Sequence, residues 1–146
     1  MTNLELTFDT IKEKYQQLFD ELIDQIEIDN KLVKNALKEQ IPLQLQWELL
    51  HKEIANLYNL VETKVEESYN EAVADELSDG YRKMTYSEAK SYAFADQDYK
   101  EAKALLIEVQ RIRDEIKGIL ETIHSRKYIL NNLSNLIVAG SQDQIL

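Results

Sequence analysis

The sequence contains no cysteine, a single proline, three glycines and no long apolar run. Without cysteine it can form no disulfide, use no thiol nucleophile and offer no thiolate to a metal. Scarce proline and glycine leave few places for the chain to turn. No apolar stretch approaches the roughly 20 residues that span a bilayer. The opening Met1-Thr2-Asn3-Leu4-Glu5-Leu6-Thr7 lacks the basic and apolar regions of a secretory signal. The expectation is a cytoplasmic protein with no membrane partner. Positive charge is also scarce: 17 Lys and Arg stand against 27 Asp and Glu, a net charge of −10. That balance argues against indiscriminate affinity for nucleic acid, because phosphate neutralisation supplies most non-specific binding.

What the sequence has is helical patterning. Charged residues make up 30% of the 146 positions, and a composition rich in Glu, Lys, Leu and Ala points to an all-α protein of long helices. Ala102, Val109, Ile116, Ile123, Leu130 and Ile137 recur every seven residues, and Leu105, Ile112, Ile119 and Leu133 fill the positions three further on. This a/d seam predicts a long helix packed in coiled-coil style. Arg126 interrupts it, either hydrogen-bonding to a partner's carboxylate to set the register or snorkelling to solvent.

The expected organisation is one helical domain over 1–146. Its first segment, 1–41, holds a helix from Thr10, where Thr10 and Glu13 have capping-box spacing. Ile11, Tyr15, Leu18, Leu22 and Ile26 share one face of it. A turn follows at Asp29-Asn30, then a short helix that Pro42 stops. A middle helix covers 43–77, with Leu43, Trp47, Leu50, Ile54, Leu57, Val61, Val65, Tyr69 and Ala72 on its apolar face. Ser78-Asp79-Gly80 ends it. Thr85 and Glu88, a second capping box, open a continuous helix over 85–138, and 139–146 is a loose tail. The middle and last helices predict a long antiparallel hairpin. The seam from Ile123 through Arg126, Leu130 and Leu133 to Ile137 then overhangs, with only the first helix to cover it, and self-association is the simplest use for such a stripe.

Three groups of residues are candidates for chemistry. Glu48-Leu49-Leu50-His51 and Glu121-Thr122-Ile123-His124 have the Glu-x-x-His step of di-iron helical bundles. Both glutamates point away from their apolar stripes, so solvated pairs rather than a metal site are expected. No nucleophile constellation or phosphate-binding glycine loop is present. No enzyme activity, catalytic residue, metal or cofactor is therefore expected. The third group surrounds the hairpin loop: Tyr81, Arg82, Lys83, Tyr86, Lys90, Tyr92, Phe94 and Tyr99. Aromatics among cations suit single-stranded nucleic acid, and the same residues equally suit a tyrosine-rich face packed on the preceding helix. The charge distribution narrows the choice. Residues 1–30 carry two lysines against eight acids and 48–80 two against nine, while 81–128 carry ten cations against eight acids.

Several short motifs resemble the UvsY family, the recombination mediators of T-even-like phages. They are Glu88-Ala89-Lys90, Ala95-Asp96-Gln97-Asp98, Ile123-His124-Ser125-Arg126-Lys127-Tyr128-Ile129 and Ala139-Gly140, in that order. Gly118, and upstream Ile28-Asp29, Lys31-Leu32 and Trp47, are also similar to the family's residues. The resemblance implies a small helical protein that forms a homo-oligomeric, heptameric ring and binds single-stranded DNA. It further implies partnership with a phage recombinase and a single-strand binding protein, whose hold on DNA the family loosens so that the recombinase can load. The family's DNA contact is associated with a Lys-x-Arg pair on the middle helix. Here the nearest match is Lys64-Val65-Glu66, with an acid in place of the arginine. The DNA contact is therefore expected on Tyr81, Arg82, Lys83 and Lys90, or on the face carrying Arg113 and Lys117, beside Lys64. A structural or chaperone-like helical adaptor without nucleic-acid binding is the alternative.

Overall fold

Apolar spacing carries most of the architecture. The computed structural model describes residues 2–27, 32–78 and 84–140, and these form four α-helices with no strand among them. They are α1 (Thr2–Ile26), α2 (Val33–Ser78), α3 (Tyr86–Ala93) and α4 (Gln97–Gly140). The expected turn at Asp29-Asn30, the Asp79-Gly80 stop and the tail 141–146 lie outside the described residues.

The expected apolar faces are the ones that pack. On α2, Leu43, Trp47, Leu50, Ile54, Leu57, Val61, Val65 and Ala72 are all buried. On α4, Ala102, Val109, Ile116, Ile123 and Leu130 are buried at every heptad, as is Ile112. Leu105, Ile119, Leu133 and Ile137 are half-buried, at the edge of the seam. On α1, Ile11 and Leu22 are buried, while Tyr15, Leu18 and Ile26 are half-buried.

Three expected boundaries are corrected. α1 does not start at Thr10 but at Thr2, because the apolar spacing of Leu4, Phe8 and Ile11 continues its face backward and Phe8 and Ile11 are buried. Pro42 does not stop a helix; it lies inside α2. Val33, Ala36, Gln40, Leu43 and Trp47 are all buried, and their 3-4-3-4 spacing holds only if the helix continues in register through the proline. Interior proline costs about 3 kcal/mol, whereas burying each large apolar side chain contributes about 1.5–3 kcal/mol. The register wins.

The last helix is not continuous over 85–138. Thr85 caps α3, its Oγ1 accepting from the Glu88 amide at 3.1 Å. The chain then turns, with the Ala95 amide donating to the Tyr92 carbonyl (3.0 Å) and the Asp96 amide to the Ala93 carbonyl (3.1 Å). Asp96 Oδ2 accepts from the Tyr99 amide at 3.0 Å, the geometry of an N-cap that restarts the helix as α4.

The chain falls into two compact units, Met1–Asp9 with Ile54–Ile112 (unit 1) and Thr10–Glu53 with Arg113–Leu146 (unit 2). The interior of unit 1 includes a cluster of small residues, Ala72, Val73, Ala89 and Ala93, with Tyr69 packed against it. Unit 2 is built around Trp47, Ile116, Ile123 and Leu130. The Tyr15 ring meets Trp47 edge-on at 6.0 Å, and its hydroxyl donates to Glu115 at 2.9 Å. No helix among the described residues is long and apolar enough to cross a membrane.

Candidate nucleic-acid interface

The cationic candidates divide between the units. Unit 1 holds Lys64, half-buried on α2, and Lys90, exposed on α3. Lys90 Nζ sits 4.5 Å above the Tyr86 ring, a cation–π contact at the surface. Tyr81, Arg82 and Lys83 lie outside the described residues. The aromatics of this region serve two ends. Tyr69, Phe94 and Tyr99 form a triangle with centroids 5.3–5.8 Å apart, so the tyrosine-rich face does pack on α2. Yet Phe94 remains 55% exposed, Tyr86 60% and Tyr92 48%.

Unit 2 holds Arg113 and Lys117, one turn apart on α4. They face His51 of α2: partial burial, and then the charges of Arg113 and Lys117, hold the imidazole below its usual range. Further along α4, His124 Nε2 lies 3.4 Å from Glu48 Oε1, and Gln44 Nε2 donates to that same oxygen at 2.9 Å. Lys127, Glu48, Gln44, Gln40, Ile41 and Leu45 line a shallow cleft of about 260 Å³. The two Glu-x-x-His steps thus meet through Glu48 and His124, which spacing along either helix alone does not reveal. Among the described residues no group of three or more His, Asp or Glu side chains is placed to hold a metal ion.

Arg126 does not snorkel to solvent. It is only 5% exposed. Its Nε donates to the Ile26 carbonyl at the end of α1 (3.1 Å), and its Nη1 donates to Gln40 Oε1 (2.7 Å) and the Ala36 carbonyl (3.4 Å). Nη2 lies 3.8 Å from Glu39. Burial pushes the guanidinium's pKa down, and Glu39 pushes it partly back. Gln40, itself buried, donates through Nε2 to the Ile123 carbonyl at 2.9 Å. A cation placed at the last carbonyl of a helix also complements the negative end of its dipole. Arg126 therefore ties the end of α1 and the first turns of α2 to α4 within one chain.

This changes the reading of the outer seam. Ile123, Arg126 and Leu130 are buried inside unit 2 and are not an overhang free for a subunit contact. The N-terminal turns of α2, which run in register through Pro42, cover this part of the seam. Leu133 and Ile137 remain half-buried, and beside them Leu136 and Val138 are well exposed.

No protein-family profile matches the chain, and no curated protein sequence does. Solved structures do. One crystal form of the bacteriophage T4 recombination mediator protein UvsY aligns with a TM-score of 0.67 at 19% identity, over 86% of this chain and 97% of that one. A second lattice form gives 0.65 at 21% identity, over 85% and 98%. The fold is therefore of the UvsY type across nearly the whole of those chains.

Proposed function

We propose that this protein is a recombination mediator. It binds single-stranded DNA and helps a recombinase load onto DNA covered by single-strand binding protein. The observation that carries this reading is the fold likeness to UvsY over 97–98% of the UvsY chain, which coincides with the motifs on which the sequence resembles that family. The reading makes the protein a homo-oligomer, with Leu133, Ile137 and the exposed Leu136 and Val138 as the subunit contact. It makes the DNA contact weak and cationic, on Arg113 and Lys117, on Lys90 with its neighbouring rings, and on Arg82 and Lys83. Several such weak sites in one assembly raise apparent affinity without new contacts. No catalytic residue or cofactor is needed, because mediation is an exchange of bound proteins.

The test has two parts. A labelled oligonucleotide titrated at low and at physiological salt should bind at low salt and weaken steeply as salt rises. Recombinase assembly on DNA pre-covered with single-strand binding protein should then speed up when the protein is added. Absence of DNA binding even at low salt would leave the structural adaptor as the better reading. The acid at Glu66 and the acidic stretch 48–80 favour that alternative.

A further inference from the structure

Arg113 and Lys117 do not stand alone on α4. At 100° per residue, Arg113, Lys117, His124 and Lys127 fall within an arc of about 80° on one edge of the helix, about 21 Å long. Asp114, Glu115 and Glu121 fall outside that arc. All four basic side chains belong to unit 2, and α2 lies opposite them in the same unit, with His51 facing Arg113 and Lys117 and Glu48 facing His124 and Lys127. Glu48 is an acid of α2 that reaches this row. Its carboxylate accepts from Gln44 at 2.9 Å and sits 3.4 Å from His124 Nε2. Those two hydrogen bonds, Gln44's first, together with the nearby charge of Lys127, hold the Glu48 carboxyl below the usual carboxylate range. An anion is therefore favoured at this point of the edge. Glu48 and His124 are both about half exposed, so the contact contributes little to stability and is easily exchanged.

We propose that this edge of α4, from Arg113 to Lys127, is a track for a nucleic-acid backbone, and that Glu48 holds one of its phosphate positions until DNA displaces it. The inference rests on the reading that the protein binds single-stranded DNA, and it adds Lys127, His124 and Glu48 to the site. Displacement is an exchange of anions on the same donors, so a strand bound along the whole edge engages His124, and Lys127 in the same cleft, only after Glu48 has left. Glu48 thereby lowers affinity for any strand too short to reach past Lys117.

The experiment is a salt titration of fluorescent oligonucleotide binding with the full chain. It compares wild type, Glu48→Gln, Lys127→Gln, the double variant, and Glu62→Gln as a charge-matched control elsewhere on α2. Glu48→Gln should bind more tightly, Lys127→Gln should flatten the log–log salt slope by about 0.7, the value of one single-strand phosphate contact, and the gain from Glu48→Gln should vanish in the double variant. Equal gains from Glu48→Gln and Glu62→Gln would reduce the effect to net charge and overturn the track. So would wild-type binding that neither Glu48→Gln nor Lys127→Gln alters. A wild type that binds no oligonucleotide at low salt would overturn the DNA reading itself and the track with it. These positions are exposed, and unchanged circular dichroism and thermal midpoints will show that the variants fold.

Discussion

Where α3 gives way to α4, unit 1 closes around Ala72, Val73, Ala89 and Ala93 under a triangle of aromatic rings. Where α1 ends and α2 begins, unit 2 closes around a buried guanidinium and a buried amide. Both junctions join helix ends to a long neighbour, but by different physics. Apolar closure is non-directional, so rings and methyl groups tolerate small displacements. The closure through Arg126 and Gln40 is directional: each bond aims at one named carbonyl or amide oxygen, and a slip of one residue would leave several buried groups unpaired. The first kind of junction sets proximity, and the second sets register.

The largest expected effect breaks the polar junction. Arg126→Ala leaves the Ile26 carbonyl and Gln40 Oε1 without the guanidinium's donors, while the Ala36 carbonyl keeps its place in the α2 ladder. At about 1–3 kcal/mol for each buried group left unpaired, the loss of these two partners should be on the order of 2–5 kcal/mol. Denaturant unfolding will measure it. Arg126→Lys should recover little, because an ammonium cannot span the same fork of acceptors. The apolar junction should yield less: Ala93→Leu overfills a closed site and should cost about 1–3 kcal/mol. An Ala93→Leu cost matching that of Arg126→Ala would erase the contrast. Asp96→Ala removes the cap that restarts α4 and should cost about 1 kcal/mol. Gly118→Ala should gain about 1 kcal/mol, since the glycine is exposed and an added Cβ meets nothing.

The smallest effect is a pH dependence in unit 2. His51 is held below its unfolded pKa of about 6.5. Between the two values the unfolded chain binds the proton and the folded chain does not, so stability falls as pH drops through about 6.5. Thermal midpoints of His51→Gln should fall less than wild type between pH 7.5 and about pH 5.5. Glu48 acts in a separate window: its depressed pKa favours the folded state above about pH 4.5 and that contribution is lost below it.

How much of this was legible follows the same division. The buried faces of α2 and α4 were readable because apolar periodicity reports burial directly. The polar junction was not, since Arg126, Gln40 and the end of α1 are far apart in sequence and no period links them. Arg126 was visible only as a break in a pattern. Pro42 misled for a related reason: its cost is local and obvious, whereas the register that outweighs it is spread over Val33, Ala36, Gln40, Leu43 and Trp47. Asp96 stands in a family-like motif in the sequence, and only the turn after α3 shows it as a cap. In the candidate interface, Arg113 and Lys117 are expected because Lys64-Val65-Glu66 lacks the family's arginine and the cations lie in the later part of the chain. Lys127 follows from the spacing of α4 itself, whereas Glu48 is placed beside them only by the pairing of two helices.

Pro42 also bears on how α2 comes apart. Its ring removes the amide hydrogen that the Lys38 carbonyl would otherwise receive, so residues 33–41 are joined to the rest of the helix by one rung fewer. What holds that segment instead is the Arg126 contact with Ala36 and Gln40. The segment should therefore open as a separate cooperative unit, below the energy of global unfolding. In deuterium exchange, its amides should label before those of residues 43–65, and the two rates should converge only if the guanidinium's grip is as strong as the core beyond the proline.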